Sequence, residues 1–170
     1  ERTHLRVTTG TVTVASVAGV VGLTLDTRGG GFWIGAQPGY HEIYVLDIAS
    51  DVDSVDGVRL DGPDPHAFTA PLPAATVDAP APLPVSWTRR DTATHAELRT
   101  DGGGDVELPD TGAYTVPIGD LASAPDRPVD EELRLARTGE VIPAGAAADS
   151  TWSMTVENAI KLVVAPTATP

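Results

Sequence analysis

The feature that most restricts this chain is an alternation of apolar and polar side chains with a period of two, running through almost its whole length. Leu83, Val85 and Trp87 alternate with Pro84, Ser86 and Thr88, and Tyr114, Val116 and Ile118 alternate with Thr115 and Pro117. Successive side chains of an extended strand point to opposite faces, so the pattern describes strands with one buried face. The longest set is Trp152, Met154, Val156, Asn158, Ile160, Leu162 and Val164, all at even positions, with Asn158 marking either a bend in one strand or a turn between two. Leu5 and Val7 precede Gly10, and Val12 and Val14 follow it with shifted parity, as at a bulge. From Ile43 to Ile48 both parities are apolar, which describes a central, deeply buried strand covered on both faces. Helix-compatible stretches, Gly119 to Ala122 and Val129 to Leu135, are too short to shape a fold. Turn signals (Asp56-Gly57, Asp61-Gly62-Pro63, Asp101 to Gly104, Thr111-Gly112, Thr138-Gly139) recur along the chain. Together these predict an all-β protein, an antiparallel sandwich.

Seven prolines fall between Asp61 and Pro84, a density that forbids a central strand and suggests an extended connection or an edge segment. The expected organisation is two small sandwich units, 1–79 and 80–170, with a single sandwich over 1–166 as the alternative. A chain of 170 residues can bury a core without staples. With no cysteine, disulfide frameworks, thiolate metal sites and thiol nucleophiles are excluded together. The balance of 24 acidic against 11 basic residues, a net charge of −13, argues against nucleic acid and against anionic membranes as partners. No run is long and apolar enough to predict a transmembrane segment. The chain begins at Glu1 and its only methionine is Met154, so export followed by processing is the expectation, with any lipid attachment lying upstream of Glu1.

Residues 82–137 carry Pro82-Leu83-Pro84-Val85-Ser86-Trp87-Thr88, the glycine run 102–104, Asp110-Thr111-Gly112-Ala113-Tyr114-Thr115-Val116-Pro117, and Leu133-Arg134-Leu135-Ala136-Arg137. This half of the chain resembles the immunoglobulin-like sandwich modules of predicted exported proteins and surface lipoproteins in GC-rich bacteria. The resemblance implies fold and brings no catalytic residue. Asp110-x-Gly112-x-Tyr114 also resembles the tyrosine corner of immunoglobulin folds, which implies structural roles for Asp110, Tyr114 and Trp87.

Aspartates at 47, 51, 53, 56, 61 and 64 cluster before and within the turn region. Asp51, Asp53, Asp56 and Asp61 form the candidate metal set, since loop carboxylates are the hard ligands calcium takes, and 51–57 resembles a D-x-D-x-D-G loop with one extra residue. Otherwise they are a solvated acidic loop. Trp33, after a triple glycine, and Tyr40, after Pro38-Gly39, are candidate ligand-binding aromatics for a sugar ring or a partner, or else they plug the core. Histidines 4, 41, 66 and 95 show no metal-ligand spacing, and no serine lies in a nucleophile motif. Carboxylate pairs such as Glu131-Glu132 and Asp105-Glu107 would act as an acid pair only if the fold set them across a cleft. The expected function is therefore non-enzymatic and without a cofactor: an exported or cell-surface interaction module, periplasmic, outer-surface or extracellular, serving as an accessory subunit of a larger assembly. The alternatives are a carbohydrate- or calcium-dependent binding module, and a hydrolase with no recognisable motif.

Overall fold

The computed structural model describes residues 7–28, 32–51, 54–91, 93–146 and 150–167. Among these, all helical or extended structure is strand. The chain divides into two compact units: unit 1 holds Glu1–Gly62 and Glu140–Met154, and unit 2 holds Pro63–Gly139 and Thr155–Pro170. The chain thus leaves unit 1 after Gly62, well before the Pro80 boundary that proline density suggests. The reason is pairing, because the strands inside the proline-rich segment bond to strands of unit 2.

Unit 1 is built from β1 (Thr11–Ser16), β2 (Gly19–Gly22), β3 (Thr24–Asp26), β4 (Phe32–Ile34), β5 (Ile43–Ala49) and β6 (Ser54–Asp61). An antiparallel sheet has the order β2-β1-β5-β6, and β3 with β4 forms a separate ribbon. Leu5 of the expected bulge lies outside the described residues; among those described, Gly10 turns the chain at φ 97° immediately before β1. A bulge lies in β6, where Leu46 pairs with Val58 and Ile48 with Val55, so that Asp56 and Gly57 together face Asp47. Gly57 takes φ 61°, a conformation glycine adopts freely, and its N–H is held by Asp47 Oδ1 at 2.7 Å. One face of the sheet packs Val12, Leu46 and Val55 against half-buried Val14, Leu23, Ile48, Val58 and Trp152. β5 is central, as its composition implies, but only Leu46 in it is fully buried.

Unit 2 contains β7 (Phe68–Ala70), β8 (Thr76–Asp78), β9 (Leu83–Trp87), β10 (His95–Thr100), β11 (Gly104–Leu108), β12 (Ala113–Val116) and most of β13 (Val129–Val141) and β14 (Trp152–Ala165). A five-stranded sheet, β11-β10-β13-β14-β8, and a three-stranded sheet, β12-β9-β7, share one core. Leu98, Leu133, Leu135, Leu162 and Val164 from the first meet Phe68, Leu83, Val85, Trp87 and Val116 from the second. Each such large apolar side chain contributes roughly 1.5–3 kcal/mol on burial. The most deeply buried strands are therefore here rather than at β5. All pairings are antiparallel in the three-stranded sheet, whereas β8 runs parallel to β14.

Two sequence expectations resolve in this unit. β14 is one strand without a turn, and Asn158 Nδ2 donates to the His66 carbonyl at 2.8 Å. The Asp-Glu-Glu-Leu stretch is strand, because Glu131, Leu133, Leu135 and Arg137 share the inward face of β13. Pro84 lies within the central strand β9 despite its missing N–H. The Trp87 N–H bonds Gly112 and the Thr88 N–H bonds Ala67, so alternation points position 84 toward β7, which has already ended at Ala70.

Candidate functional site

The sequence-nominated residues of unit 1 are placed in packing and turn roles. Trp33, opposite Leu25 in the β3–β4 ribbon, packs half-buried on the unit core, and its Nε1 donates to the Val7 carbonyl at 2.7 Å. Its one donor is occupied, which fits a core plug better than a sugar platform. Tyr40 is half-buried before β5, with its hydroxyl close to Gly62. The aromatic contact in this region is His41 with Tyr44, ring centroids 6.1 Å apart.

The acidic candidates do not converge. Asp51 accepts the Thr9 hydroxyl, a bond that holds its carboxyl below the ordinary carboxylate range. Asp61 pairs with Arg59 at 3.2 Å, Asp56 is exposed in the bulge, and Asp53 lies outside the described residues. Among the described residues no three His, Asp or Glu side chains are grouped to hold a metal ion. The grouping expected of a calcium loop is thus not formed by its described members, because turn bonds and an ion pair separate them. Calcium at about millimolar concentration is accordingly expected to leave the melting temperature unchanged; a rise would restore the calcium reading.

What unit 1 does present is an uncharged stretch at one side of its sheet, although Asp47, Arg59 and Asp61 stand on the same face farther along it. Residues Thr11 to Leu25 contain no charged side chain, although the chain has 24 acids and 11 bases. Ala15 stands opposite Val20 on β2 and Val45 on β5, so these side chains and Ile43 share the face opposite the core. A surface depression of about 240 Å³ is lined by Ala15, Ser16, Val17, Ile43 and Val45. Val17, in the β1–β2 turn, is 87% exposed and Val20 is 70% exposed. One edge of this sheet is β2, and it differs from the other edges of the four-, five- and three-stranded sheets. β6 carries Asp56, Arg59 and Asp61, β11 carries Asp105 and Glu107, β8 ends in Asp78, and Pro71 and Pro117 follow β7 and β12. Charges and prolines on edges discourage strand addition. β2, Gly19-Val20-Val21-Gly22, has neither. Val12 accepts from the Leu23 N–H, so alternation turns the N–H and C=O groups of Val20 and Gly22 away from β1.

Unit 2 holds its convergence of charge inside. Arg137, with a side chain fully excluded from solvent, donates through Nε and Nη2 to Asp110, through Nη1 to the Asp64 carbonyl at 3.0 Å, and through Nη2 to the Asp91 carbonyl at 2.7 Å. Asp110 also accepts from Trp87 Nε1 at 3.1 Å and from the Ala93 N–H at 3.0 Å. Burial pushes the Asp110 carboxyl upward, but these bonds and the Arg137 charge hold it below its ordinary value. Burial likewise opposes the Arg137 charge, and the Asp110 partner raises its pKa above the ordinary value. Trp87 and Asp110, both read from sequence as structural, are thus joined directly. Tyr114 lies on the inner face opposite Val85, half-buried against the core.

Arg137 has no role in the sequence reading and Glu131 only one in a possible acid pair, yet their shared parity with Leu133 and Leu135 is the signal for burial. Glu131 is buried and accepts from the Asp101 N–H at 2.6 Å and the Ala122 N–H at 2.7 Å; burial raises its pKa. Glu132 turns to Arg134, and Asp105 to Arg99, so each neighbouring carboxylate pair has one member in an ion pair. A shallow groove of about 210 Å³ beside Glu131 is lined by Asp101, Asp130, Glu132 and Lys161. Among the described residues no helix is long and apolar enough to cross a membrane. No protein-family model matches the chain, and no curated protein matches it.

Proposed function

We propose that this chain is a non-enzymatic interaction module, exported or at the cell surface, that serves as an accessory subunit of a larger envelope or extracellular assembly. The observation that carries this reading is the β2 edge, free of charge and proline, with the apolar side chains of Ala15, Val17 and Val20 beside it, in a protein whose net charge is −13. An exposed strand edge offers main-chain hydrogen bonds to an extended segment of a partner, and alternating side-chain pockets select it. The β1–β2 hairpin itself, uncharged from Thr11 to Leu25, lets two acidic proteins approach along this edge without bringing like charges together. The internal use of Arg137, Asp110 and Glu131 supports the same reading, since their charges serve folding.

The test compares the full chain with a V17K/V20K double variant expressed in its native host. Both side chains are exposed, so circular dichroism should be unchanged. The expected result is that the wild type co-purifies with a defined partner and the variant retains about tenfold less of it. A wild type that runs at its monomer mass of 17.6 kDa with no partner, or undiminished retention by the variant, would sink the proposal.

A further inference from the structure

His66 is buried in unit 2, 7% exposed, in the segment by which the chain leaves unit 1. Its Nε2 lies 3.1 Å from the Leu135 carbonyl. A carbonyl only accepts, so Nε2 carries the proton and Nδ1 the lone pair. Nδ1 is buried and has no hydrogen-bond partner. The charged groups around the ring are Arg137 from β13 and Asp110 from the β11–β12 connection. Asp91 and the Asp64 carbonyl are bonded to Arg137, and β14 contributes uncharged Asn158, which holds the His66 carbonyl. The Arg137 donors and the Asp110 oxygens are already engaged with one another and with Trp87, Ala93, Asp64 and Asp91.

We propose that His66 is an acid-sensitive latch: protonation at Nδ1 creates a buried N–H without an acceptor and a second cation beside Arg137, and this releases the Pro63–Ala67 segment from β13 and the Thr88 region. Beside the Arg137 and Asn158 bonds to the Asp64 and His66 carbonyls, the segment is tied to the 88–91 region. Asp64 N–H bonds Asp91, the Ala67 N–H bonds the Thr88 hydroxyl at 3.0 Å, and the Ala67 carbonyl accepts from the Thr88 N–H at 2.9 Å. An unpartnered buried donor and an unpaired buried charge are both strongly unfavourable. This inference stands apart from the interaction-module reading, since it concerns unit 2 alone.

The direction of the pH effect follows. Burial holds His66 below its ordinary 6.5, so the unfolded or opened state takes up the proton first. The contribution is complete above about pH 6.5, falls as pH drops below it, and levels off once the closed state is also protonated. Glu131 acts in the opposite sense, because its raised pKa favours the closed state as acid is added. Asp110, held below its ordinary value, changes only at lower pH. The experiment must therefore isolate His66.

The measurement is amide hydrogen exchange at Ala67 in the full chain, corrected for intrinsic rates, between about pH 7.5 and about pH 5. The expected result is a rise in opening of about tenfold or more in the wild type, and little change in His66→Gln, whose amide nitrogen can still donate to Leu135 but does not titrate. A flat wild-type profile, or an equal rise in the variant, overturns the proposal. Should the variant fail to fold, NMR titration of the wild-type His66 ring decides: a pKa below 6.5 sustains the latch, and a value at or above it overturns it.

Discussion

Asp110→Ala is expected to lose about 3–5 kcal/mol of stability, read by urea unfolding of unit 2, because it strands a buried guanidinium. The carboxylate is the common acceptor for Arg137, Trp87 Nε1 and the Ala93 N–H, so its removal leaves three donors in the interior without it. The loss should differ from that of an ordinary cavity. An Asp110→Leu, Arg137→Met double variant, which removes both charges and keeps apolar volume, should be more stable than Asp110→Ala alone. If the double variant is the less stable of the two, the cost lies in lost packing and not in an uncompensated charge. The cluster ties the 88–93 connection, the 109–112 connection and Asp64 to one side chain of β13. The single substitution should therefore also loosen connections well separated in sequence.

Gly10→Ala is expected to destabilise unit 1 by about 2–5 kcal/mol, combining backbone strain with overlap. Gly10 has φ 97°, and a Cβ there would collide with the Ala49 carbonyl oxygen at the end of β5. The obstacle is backbone in the sheet, which cannot rotate aside. Gly19→Ala is the internal comparison: it also has positive φ, at 129°, but nothing lies within 4 Å of the Cβ position. Thermal melting of the two variants separates strain from collision. Equal losses at both positions would show that overlap at Gly10 relaxes freely. The core of unit 1 has few fully buried members, so such a loss should abolish its folding transition at moderate temperature.

Much of this architecture was legible before any coordinate. The alternation at Leu83, Val85 and Trp87 returned as β9, and the even positions of β14 from Ile160 to Val164 face the core. Asp56-Gly57 was read as a turn, and became a bulge because Asp47, nine positions upstream of Asp56, supplies the bond that holds Gly57 within a strand. Trp33 illustrates the limit for sites. Its exposure to a ligand or its burial depended on where Val7 and the Val12–Leu46 core came to lie, and local sequence contains no record of that. The acidic set from Asp51 to Asp61 shows the same limit, since a motif with one extra residue has no fixed geometry until the hairpin assigns each carboxylate a neighbour.

The sequence by itself determined that this is a β protein, because a period of two is a property of the extended backbone and needs no partner to be read. It also determined the chemistry withheld from the chain through the missing cysteines, and the surplus of negative charge. Tertiary structure decided the rest. Which strands are neighbours set the division after Gly62 and returned 140–154 to unit 1, since pairing joins segments that are remote in sequence. It decided that Arg137 and Asp110 neutralise each other in the interior, 27 positions apart, and that His66 is enclosed beside them. It left β2, alone among the described sheet edges compared above, without charge or proline. A side chain's parity is local, but its partner is supplied by the fold.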